Sequence, residues 1–293
     1  MFIYGDKMET DMGNVSIEWE QRRSSLVSIM NELTRRNLAV AFSGGADSAL
    51  LLKLATDCAG IYGTKVCAVT VQTKLHPHHE MEEAKQLAEQ MGAMHVCIAV
   101  DEFADERIAG NPVNRCYLCK KMIFQNILEK SAQLGFEVVV DGTNEDDLHV
   151  YRPGIQALRE LGIRSPLAEA GITKSMVRLW LTELGLAVAG KPATPCLATR
   201  IPYGEALDED VLQRIGQGEK YLRDMGFVNV RLRVHGQIAR IEIDIGQMDR
   251  LMQNRQAVTD YLKGLGFMYV TLDLEGFRSG SMDIGILSDN IDE

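Results

Sequence analysis

Along the first half of the chain, short apolar segments alternate with segments of helical periodicity, a pattern typical of a parallel α/β sheet. Short apolar runs with the composition of buried strands cover Leu38–Phe42, Lys65–Val71, Met94–Ala99 and Phe136–Val140. Apolar residues at helical spacing separate these runs. Because βαβ connections are right-handed and join parallel strands, the pattern predicts one parallel sheet whose strands end at a common edge.

The helices expected between and beside these strands follow from the same periodicity. One begins after Gly45, and Thr173 is the expected N-cap of the last. The other predicted helices cover Ile17–Arg36, Glu80–Met91, Lys120–Leu134, Gly154–Leu161 and Lys174–Leu184.

The last third of the chain has a different organisation. Proline, glycine and polar residues cluster at Pro202–Asp208, which indicates a boundary. Beyond it, Tyr221–Val230 is similar to Tyr261–Val270, and strands are expected at Val230–His235 and Ile238–Ile243. We therefore predict a loose tail at residues 1–18, an α/β domain at 19–204 and a small α+β sandwich domain at 205–293.

Charge and composition narrow the functional classes. The 293 residues include 31 basic and 41 acidic side chains, a net charge of −10, which argues against a broad nucleic-acid surface. The sequence contains neither an apolar run long enough to span a membrane nor a secretory pattern near its start. A cytoplasmic protein without a membrane partner is the expectation.

The segment Ser43–Ser48 carries the clearest chemistry. It follows a predicted buried strand and opens a predicted helix, so Gly44 and Gly45 would let the backbone approach a ligand closely. Amides at a helix start favour anions, and Ser43 and Ser48 add hydroxyl donors. Asp47 beside a phosphate calls for a bridging Mg²⁺. The spacing is neither that of a Walker loop nor that of a dinucleotide-binding loop.

Ser-Gly-Gly-x-Asp-Ser resembles the pyrophosphate loop of the PP-loop ATP pyrophosphatases. The resemblance implies a Rossmann-like fold of the adenine nucleotide alpha hydrolase type, with ATP bound at the loop. Asp141 and Gly142 follow another predicted strand and are expected at the same sheet edge. Glu169–Lys174 resembles the segment that these enzymes bring to the ATP phosphates. Lys174 and Arg178 share a helix face, and a solvated surface pair is the alternative interpretation.

The six cysteines fall into two groups. Cys58, Cys67 and Cys97 lie in apolar contexts and are expected to be small core residues. Cys116 and Cys119 form a Cys-x-x-Cys pair, and Cys196 lies in a proline-bounded loop. A Cys-x-x-Cys pair alone is compatible with half a zinc site, a redox pair or two core residues. Three cysteines fit a cluster in which one iron lacks a protein ligand and binds sulfide.

Several further motifs together resemble the LarE family of the PP-loop superfamily, from about Leu38 to Arg278. They are Asn114–Lys121, Tyr151–Gly154, Arg164–Leu167, Cys196–Gly204, His235-Gly236, Ala239–Glu242 and Thr271–Arg278.

The LarE resemblance implies a two-stage reaction. A carboxylate of pyridinium-3,5-dicarboxylate mononucleotide attacks the α-phosphate of ATP–Mg²⁺, pyrophosphate leaves, and sulfur then displaces AMP to give a thiocarboxylate for a nickel-pincer nucleotide. Family members with three cysteines, here Cys116, Cys119 and Cys196, carry a [4Fe–4S] cluster, which we expect in this chain. In others, the cysteine at the position of Cys196 gives up its own sulfur. The resemblance also implies a homo-oligomer, a hexamer, and leaves the sulfide donor unidentified.

The substrate phosphate needs its own site. Arg231 and Arg233 alternate on one predicted strand and therefore share a face, and arginine forks suit phosphate. The resemblance adds Arg200 and Glu219 as neighbouring candidates. The alternative is an exposed basic strand face without a ligand.

Three other functions are compatible with parts of the pattern. PP-loop tRNA thiolases also activate their substrate with ATP, and some carry a three-cysteine cluster, but the acidic composition disfavours a tRNA partner. A non-catalytic iron–sulfur or nucleotide sensor would retain the loop without turnover. An amidating PP-loop synthetase would leave the cysteines unexplained.

Overall fold

The protein folds as two compact units in the computed structural model, which describes residues 5–75, 80–150, 152–191, 195–278 and 280–282. Residues 1–4 of the predicted tail, and Tyr151 of one family motif, lie outside these ranges. The first unit comprises Met1–Thr73, His78–Val100 and Cys116–Ala193, and the second comprises Lys74–Pro77, Asp101–Arg115 and Thr194–Glu293. The predicted domain limits at 19–204 and 205–293 remain a prediction.

A four-stranded parallel sheet forms the centre of the first unit. Its strands are β1 (Leu38–Ala41), β2 (Val66–Gln72), β3 (Met94–Ala99) and β4 (Val138–Val140), in the spatial order β3-β2-β1-β4. Every adjacent pair is parallel. The predicted parallel α/β fold is thereby confirmed, and all four strands direct their carboxyl ends to one edge.

The helices lie close to their predicted positions, with two differences. The first begins at Gly5 rather than Ile17, and the helix predicted from Lys120 begins at Arg115, so that it includes both cysteines of the Cys-x-x-Cys pair. The helices are α1 (Gly5–Leu33), α2 (Ala46–Tyr62), α3 (Glu80–Gln90), α4 (Glu106–Ala109), α5 (Arg115–Gln133), α6 (Gly154–Glu160), α7 (Pro166–Glu169), α8 (Lys174–Glu183), α9 (Glu209–Asp224), α10 (Met248–Gln253) and α11 (Arg255–Gly264). Within the described ranges, none of them has the length and apolar character needed to span a bilayer.

Alternation along β1 divides the core of the first unit between the two faces of the sheet. Leu38 and Val40 pack on one face with apolar side chains of α1, α2 and α8, whereas Ala39 packs on the other with Phe124 and Ile127 of α5. These side chains are buried, and burying a leucine or phenylalanine contributes about 2 kcal/mol. The central strand that leads into the Ser43–Ser48 loop is therefore held from both sides.

One core prediction is wrong. Cys58 and Cys67 are buried as expected, but Cys97 is exposed. Cys97 lies on β3, which is an edge strand and pairs only with β2. Side chains on an edge strand are less covered by neighbouring strands than those on a central strand. The local sequence around Cys97 does not show that its strand lies at the edge of the sheet.

The second unit contains a smaller mixed sheet. Strand β5 (Val230–His235) pairs antiparallel with β6 (Ile238–Ile243), and β6 pairs parallel with β7 (Tyr269–Leu272). The two strands predicted here are confirmed at their predicted bounds. The repeated sequences meet in space, because the rings of Tyr221 and Tyr261 stack with centroids 3.9 Å apart.

Candidate functional site

The loop Ser43–Ser48, here called the glycine loop, connects the carboxyl end of β1 to the start of α2. Gly45 occupies the N-cap position of α2, and no side chain caps the helix there. The amides of its first turn therefore have no intrahelical acceptor and face outward with the positive end of the helix dipole. The hydroxyls of Ser43 and Ser48 lie 3.2 Å apart beside these amides.

Glycine is required at position 44 for two reasons. Its φ is +68°, a left-handed conformation that other residues rarely adopt. A Cβ atom there would also lie 3.0 Å from the Cβ of Ala84 in α3. Gly44 therefore lets the loop adopt this left-handed turn and pack closely against α3.

Asp47 lies in the first turn of α2 and has two polar partners from distant parts of the chain. The ammonium of Lys174, the first residue of α8, donates to Oδ2 of Asp47, and Asn144 Nδ2 donates to Oδ1 at 3.4 Å. Lys174 is itself fixed, because its backbone amide donates to Asp146 Oδ2 at 2.8 Å and Thr173 caps α8 as predicted. The structure therefore brings two predicted site residues into direct contact at the glycine loop.

Asp141 and Gly142 follow β4 and lie at the same edge of the sheet. A Cβ atom on Gly142 would lie 3.2 Å from both the Cβ of Asp47 and the amide nitrogen of Ser48. Glycine at position 142 therefore lets these two backbone segments approach closely without displacing Asp47 or Ser48. The predicted convergence of Asp141–Gly142 with the glycine loop is present in the fold.

The Asp141 carboxylate is buried and already bound by protein donors. Thr143 Oγ1 donates to Oδ2 at 2.6 Å, and Ser165 Oγ donates to Oδ1 at 2.5 Å. The ammonium of Lys120, in α5, lies 3.6 Å from Oδ2. Asp141 thus orients Lys120 and the strand end. Neither Lys120 nor Asn144 was a candidate site residue from the sequence, although Lys120 lies in the Asn114–Lys121 motif and Asn144 follows the same predicted strand as Asp141.

Cys116 and Cys119 lie in the first turn of α5, and both are half-buried. Residues three apart on a helix share a face, so the two thiols face the same side. Cys196, in the second unit, immediately precedes a short 3₁₀ turn at Leu197–Arg200. None of the three forms a disulfide. In the described part of the chain, no group of three or more His, Cys, Asp or Glu side chains is arranged to hold a metal ion.

Arg200 and Glu219 form a buried ion pair in the second unit, with both side chains 1% exposed. Arg200 donates to both carboxylate oxygens, at 2.7 and 3.0 Å, and also to the carbonyl of Cys196 at 3.1 Å. Burial alone would raise the pKa of Glu219, but the guanidinium of Arg200 holds that pKa below its usual range. The pair therefore ties the Cys196 loop to α9.

The side chains of Arg231, Arg233, Arg240 and Glu242 lie on one face of the small sheet, here called the arginine face. Arg233 donates to Glu242 Oε2 at 3.0 Å and to the carbonyl of Thr199 at 2.9 Å. Arg231 differs, because no carboxylate lies within ion-pair distance of its guanidinium among the described residues. Burial and the neighbouring Arg200 lower the pKa of Arg231 to about 10, which leaves the side chain charged at neutral pH.

The ion-pair network of described residues around the arginine face contains more arginines than carboxylates. Within this set five arginines and three carboxylates interact, an excess of two positive charges. They are Arg200, Arg223, Arg231, Arg233 and Arg240, with Glu219, Glu242 and Asp273. Repulsion among these guanidiniums would be relieved by an anion of two negative charges, such as a phosphomonoester.

Comparison with known proteins agrees with this arrangement. Residues 19–150 match a family described as a PP-loop domain. The chain is 39% identical to pyridinium-3,5-bisthiocarboxylic acid mononucleotide synthase of Lactiplantibacillus plantarum, over 89% of this chain and 94% of the synthase. It is 40% identical to an uncharacterised protein of Synechocystis, covering 90% and 97% of the two chains, and 30% identical to one of Methanocaldococcus jannaschii, covering 87% and 97%. The chain therefore belongs to the LarE family of the PP-loop superfamily.

Proposed function

We propose that this protein is an ATP-dependent sulfur transferase acting on pyridinium-3,5-dicarboxylate mononucleotide. It converts a carboxylate of that nucleotide to a thiocarboxylate. The observation that carries the proposal is the convergence of the glycine loop, the Asp47 carboxylate and the Lys174 ammonium at one sheet edge, in a member of the LarE family. Such an edge is where parallel α/β sheets bind their ligands.

ATP binds by its phosphates at the glycine loop in this proposal. The amides of Gly44 and Gly45 and the hydroxyls of Ser43 and Ser48 hold the pyrophosphate end, because a helix start stabilises negative charge. The Gly45 amide donates to Ser43 Oγ at 3.3 Å in this structure and would exchange that contact for a phosphate oxygen. Lys174 lies next to this position and binds a phosphate oxygen. Asp141 holds the end of β4 in place, and Gly142 lets the backbone that follows β4 approach the glycine loop closely.

Asp47 fits the role of a magnesium ligand. Its carboxylate already faces a cationic group, Lys174, and carboxylate oxygens are the donors that Mg²⁺ prefers. When bound, Mg²⁺ would neutralise phosphate charge. The chain's own contribution is to place one carboxylate and one ammonium beside the phosphates, so that the α-phosphate is presented to the incoming nucleophile.

Adenylation makes the substrate carboxylate reactive. One carboxylate oxygen attacks the α-phosphorus of ATP, the bond to the bridging oxygen of pyrophosphate breaks, and an acyl-adenylate forms. Sulfide then adds to the acyl carbon, and the C–O bond to AMP breaks. Carboxylate oxygen is a poor leaving group, whereas AMP is a good one, so the ATP step is what permits sulfur to replace oxygen.

The three cysteines fit a [4Fe–4S] cluster by donor chemistry, since thiolates are the ligands of such clusters and Cys116 and Cys119 share one helix face. Cys116, Cys119 and Cys196 would hold it, leaving one iron to supply sulfide. The alternative within this proposal is that Cys196 donates its own sulfur and becomes dehydroalanine.

The substrate phosphate binds at the arginine face, with Arg231 as its main partner. Arg231 is charged and no described carboxylate lies within ion-pair distance of it, and the excess of two positive charges in the surrounding ion-pair network matches a phosphate dianion. This site is supported by residues that form buried ion pairs, namely Arg233, Arg200 and Glu219.

Substrate-dependent pyrophosphate release tests the proposal. Purified protein with ATP and Mg²⁺ should release pyrophosphate when pyridinium-3,5-dicarboxylate mononucleotide is added. Nicotinamide mononucleotide is the matched control, because its carboxamide cannot be adenylated through a carboxylate oxygen, and it should give only background release. Equal release with both nucleotides, or none with either, would refute the proposed reaction.

A further inference from the structure

The segment that follows β7 makes several contacts with the arginine face. Here it is called the C-terminal strap and consists of residues 276–278 and 280–282. The ring centroid of Phe277 lies 5.1 Å from the guanidinium carbon of Arg231, and Arg233 Nη2 donates to Ser281 Oγ at 2.9 Å. Arg240 Nη2 lies 3.7 Å from the sulfur of Met282. Three arginines of the face are therefore in contact with the strap.

The beginning of the strap is anchored to the sheet. The amide of Phe277 donates to the carbonyl of Ile243 at 2.8 Å, at the end of β6. Gly276 has a φ of +71°, and a Cβ atom there would lie 2.9 Å from the same carbonyl oxygen. Only glycine permits this close turn, and the turn directs the strap toward the arginine face.

Glu242 is the natural partner for Arg231, yet the two do not pair. They lie directly opposite each other in the β5–β6 ladder, where opposite charges normally attract. Glu242 is fully buried and its carboxylate is already occupied by Arg233 and Arg240. Ser281 Oγ donates to Oε1 of Glu242 at 2.8 Å, in addition to these two arginines.

Each oxygen of the Glu242 carboxylate thus has close partners. Oε1 accepts from Arg240 at 3.2 Å and from Ser281, whereas Oε2 accepts from Arg233 Nε at 3.0 Å and lies 2.9 Å from Arg233 Nη2. Ser281 serves both partners, since its oxygen accepts from Arg233 while its hydroxyl proton goes to Glu242. These partners surround Glu242, and among the described residues its carboxylate forms no ion pair with Arg231.

We propose that Ser281 is a positioning residue for substrate binding, which reserves Arg231 for the substrate phosphate by occupying Glu242. This inference rests on the proposed function, because it assumes that the substrate phosphate binds Arg231. Loss of the Ser281 hydroxyl would open one acceptor position on a buried carboxylate. Arg231, directly across the ladder, would fill it and would then be a weaker partner for the phosphate.

Binding measurements on the full-length protein test this role, with nicotinate mononucleotide as a stable pyridinium carboxylate probe. Ser281→Ala should weaken probe binding about fivefold, the factor that corresponds to one hydrogen bond. Its ATP affinity and its melting temperature should stay close to those of the parent protein. Ser281→Thr keeps the hydroxyl and should restore most of the probe affinity.

Thr271→Val is the matched control, since Thr271 shares the face and its hydroxyl donates to the carbonyl of Ala239 at 3.4 Å rather than to Glu242. It should leave probe affinity unchanged. Two outcomes would overturn the positioning role and leave the phosphate site standing. In the first, Arg231→Ala weakens probe binding but Ser281→Ala does not. In the second, Ser281→Ala weakens probe and ATP binding equally. If Arg231→Ala itself leaves probe affinity unchanged, the phosphate site of the proposed function fails first.

Discussion

Lys174 and Asp47 lie 127 residues apart in sequence and form an ion pair at the glycine loop. Lys174 is the first residue of α8, where a cation is unfavourable for the helix dipole, and the Asp47 carboxylate compensates. The same carboxylate is the expected ligand for Mg²⁺. In the proposed function, binding of ATP with its metal requires Lys174 to exchange this carboxylate for a phosphate oxygen.

Replacing Lys174 with methionine should weaken ATP binding by about tenfold or more, because one charge-assisted hydrogen bond to phosphate is lost. Calorimetric titration with ATP and Mg²⁺ measures this directly. Lys191→Met is the control, since Lys191 lies in the same unit and pairs with the exposed Glu83 at 3.0 Å. An unchanged ATP affinity in the Lys174 variant would remove it from the phosphate site.

Asp47→Asn should reduce substrate-dependent pyrophosphate release by about a hundredfold or more, since the metal would lose its charged protein ligand beside the phosphates. Asp57→Asn is a matched control on the same helix, because Asp57 pairs only with Lys53 at the surface. A rate for the Asp47 variant close to that of the control would contradict the assigned role.

Cys116→Ser and Cys119→Ser should each lower iron and acid-labile sulfide sharply after anaerobic reconstitution, because thiolates are the cluster ligands. Cys97→Ser should keep the iron of the parent protein, since Cys97 is exposed on the edge strand β3. Iron content that is the same in all three variants would exclude the helix pair as ligands and return the sulfur to Cys196.

Glu219→Gln should lower the free energy of unfolding by about 3 kcal/mol, because it leaves the buried Arg200 without its counter-charge. Asp224→Asn, which disrupts an exposed pair with Lys220 on the same helix, should leave the melting temperature nearly unchanged. Urea unfolding of both variants measures the difference. Equal free energies of unfolding for the two variants would show that the buried pair stabilises the fold no more than the exposed pair does.

The same variant has a defined pH dependence. The pKa of Glu219 in the folded protein lies below its usual range, so its contribution is present above the unfolded pKa of about 4.3 and is lost as pH falls toward the folded value. The stability gap between the parent protein and Glu219→Gln should therefore stay constant from pH 6 to about pH 5 and narrow as the pH falls below about 4.3. A gap that does not narrow below about pH 4.3 would contradict the shifted pKa.

Much of the fold was predictable because its signals are local. A buried strand, a glycine turn and a helix follow one another at Leu38–Leu52, and the parallel sheet follows from the alternation of such units. The carboxyl-edge rule then places Asp141 and Gly142 near the glycine loop without any knowledge of contacts. The bounds of β3, β5 and β6 were predicted to the residue.

Side-chain pairing was not predictable, because it depends on residues brought together from distant parts of the chain. Neither the contact of Lys174 with Asp47 nor the filling of Glu242 by Ser281 leaves a periodic signal. Arg231 and Arg233 are both arginines on one face of the same strand, yet among the described residues only Arg233 of the two is paired with a carboxylate. The exposure of Cys97 depends on the sheet order, which local composition does not specify.

The most direct test of sulfur transfer is mass analysis of the nucleotide product. Protein prepared without oxygen is incubated with ATP, Mg²⁺, sulfide and pyridinium-3,5-dicarboxylate mononucleotide, and the nucleotide is examined for replacement of carboxylate oxygen by sulfur. The account predicts a thiocarboxylate formed together with AMP and pyrophosphate, and absent when ATP is omitted or Asp47 is replaced by asparagine. An unmodified nucleotide despite pyrophosphate release, or a thiocarboxylate formed without ATP, would contradict it.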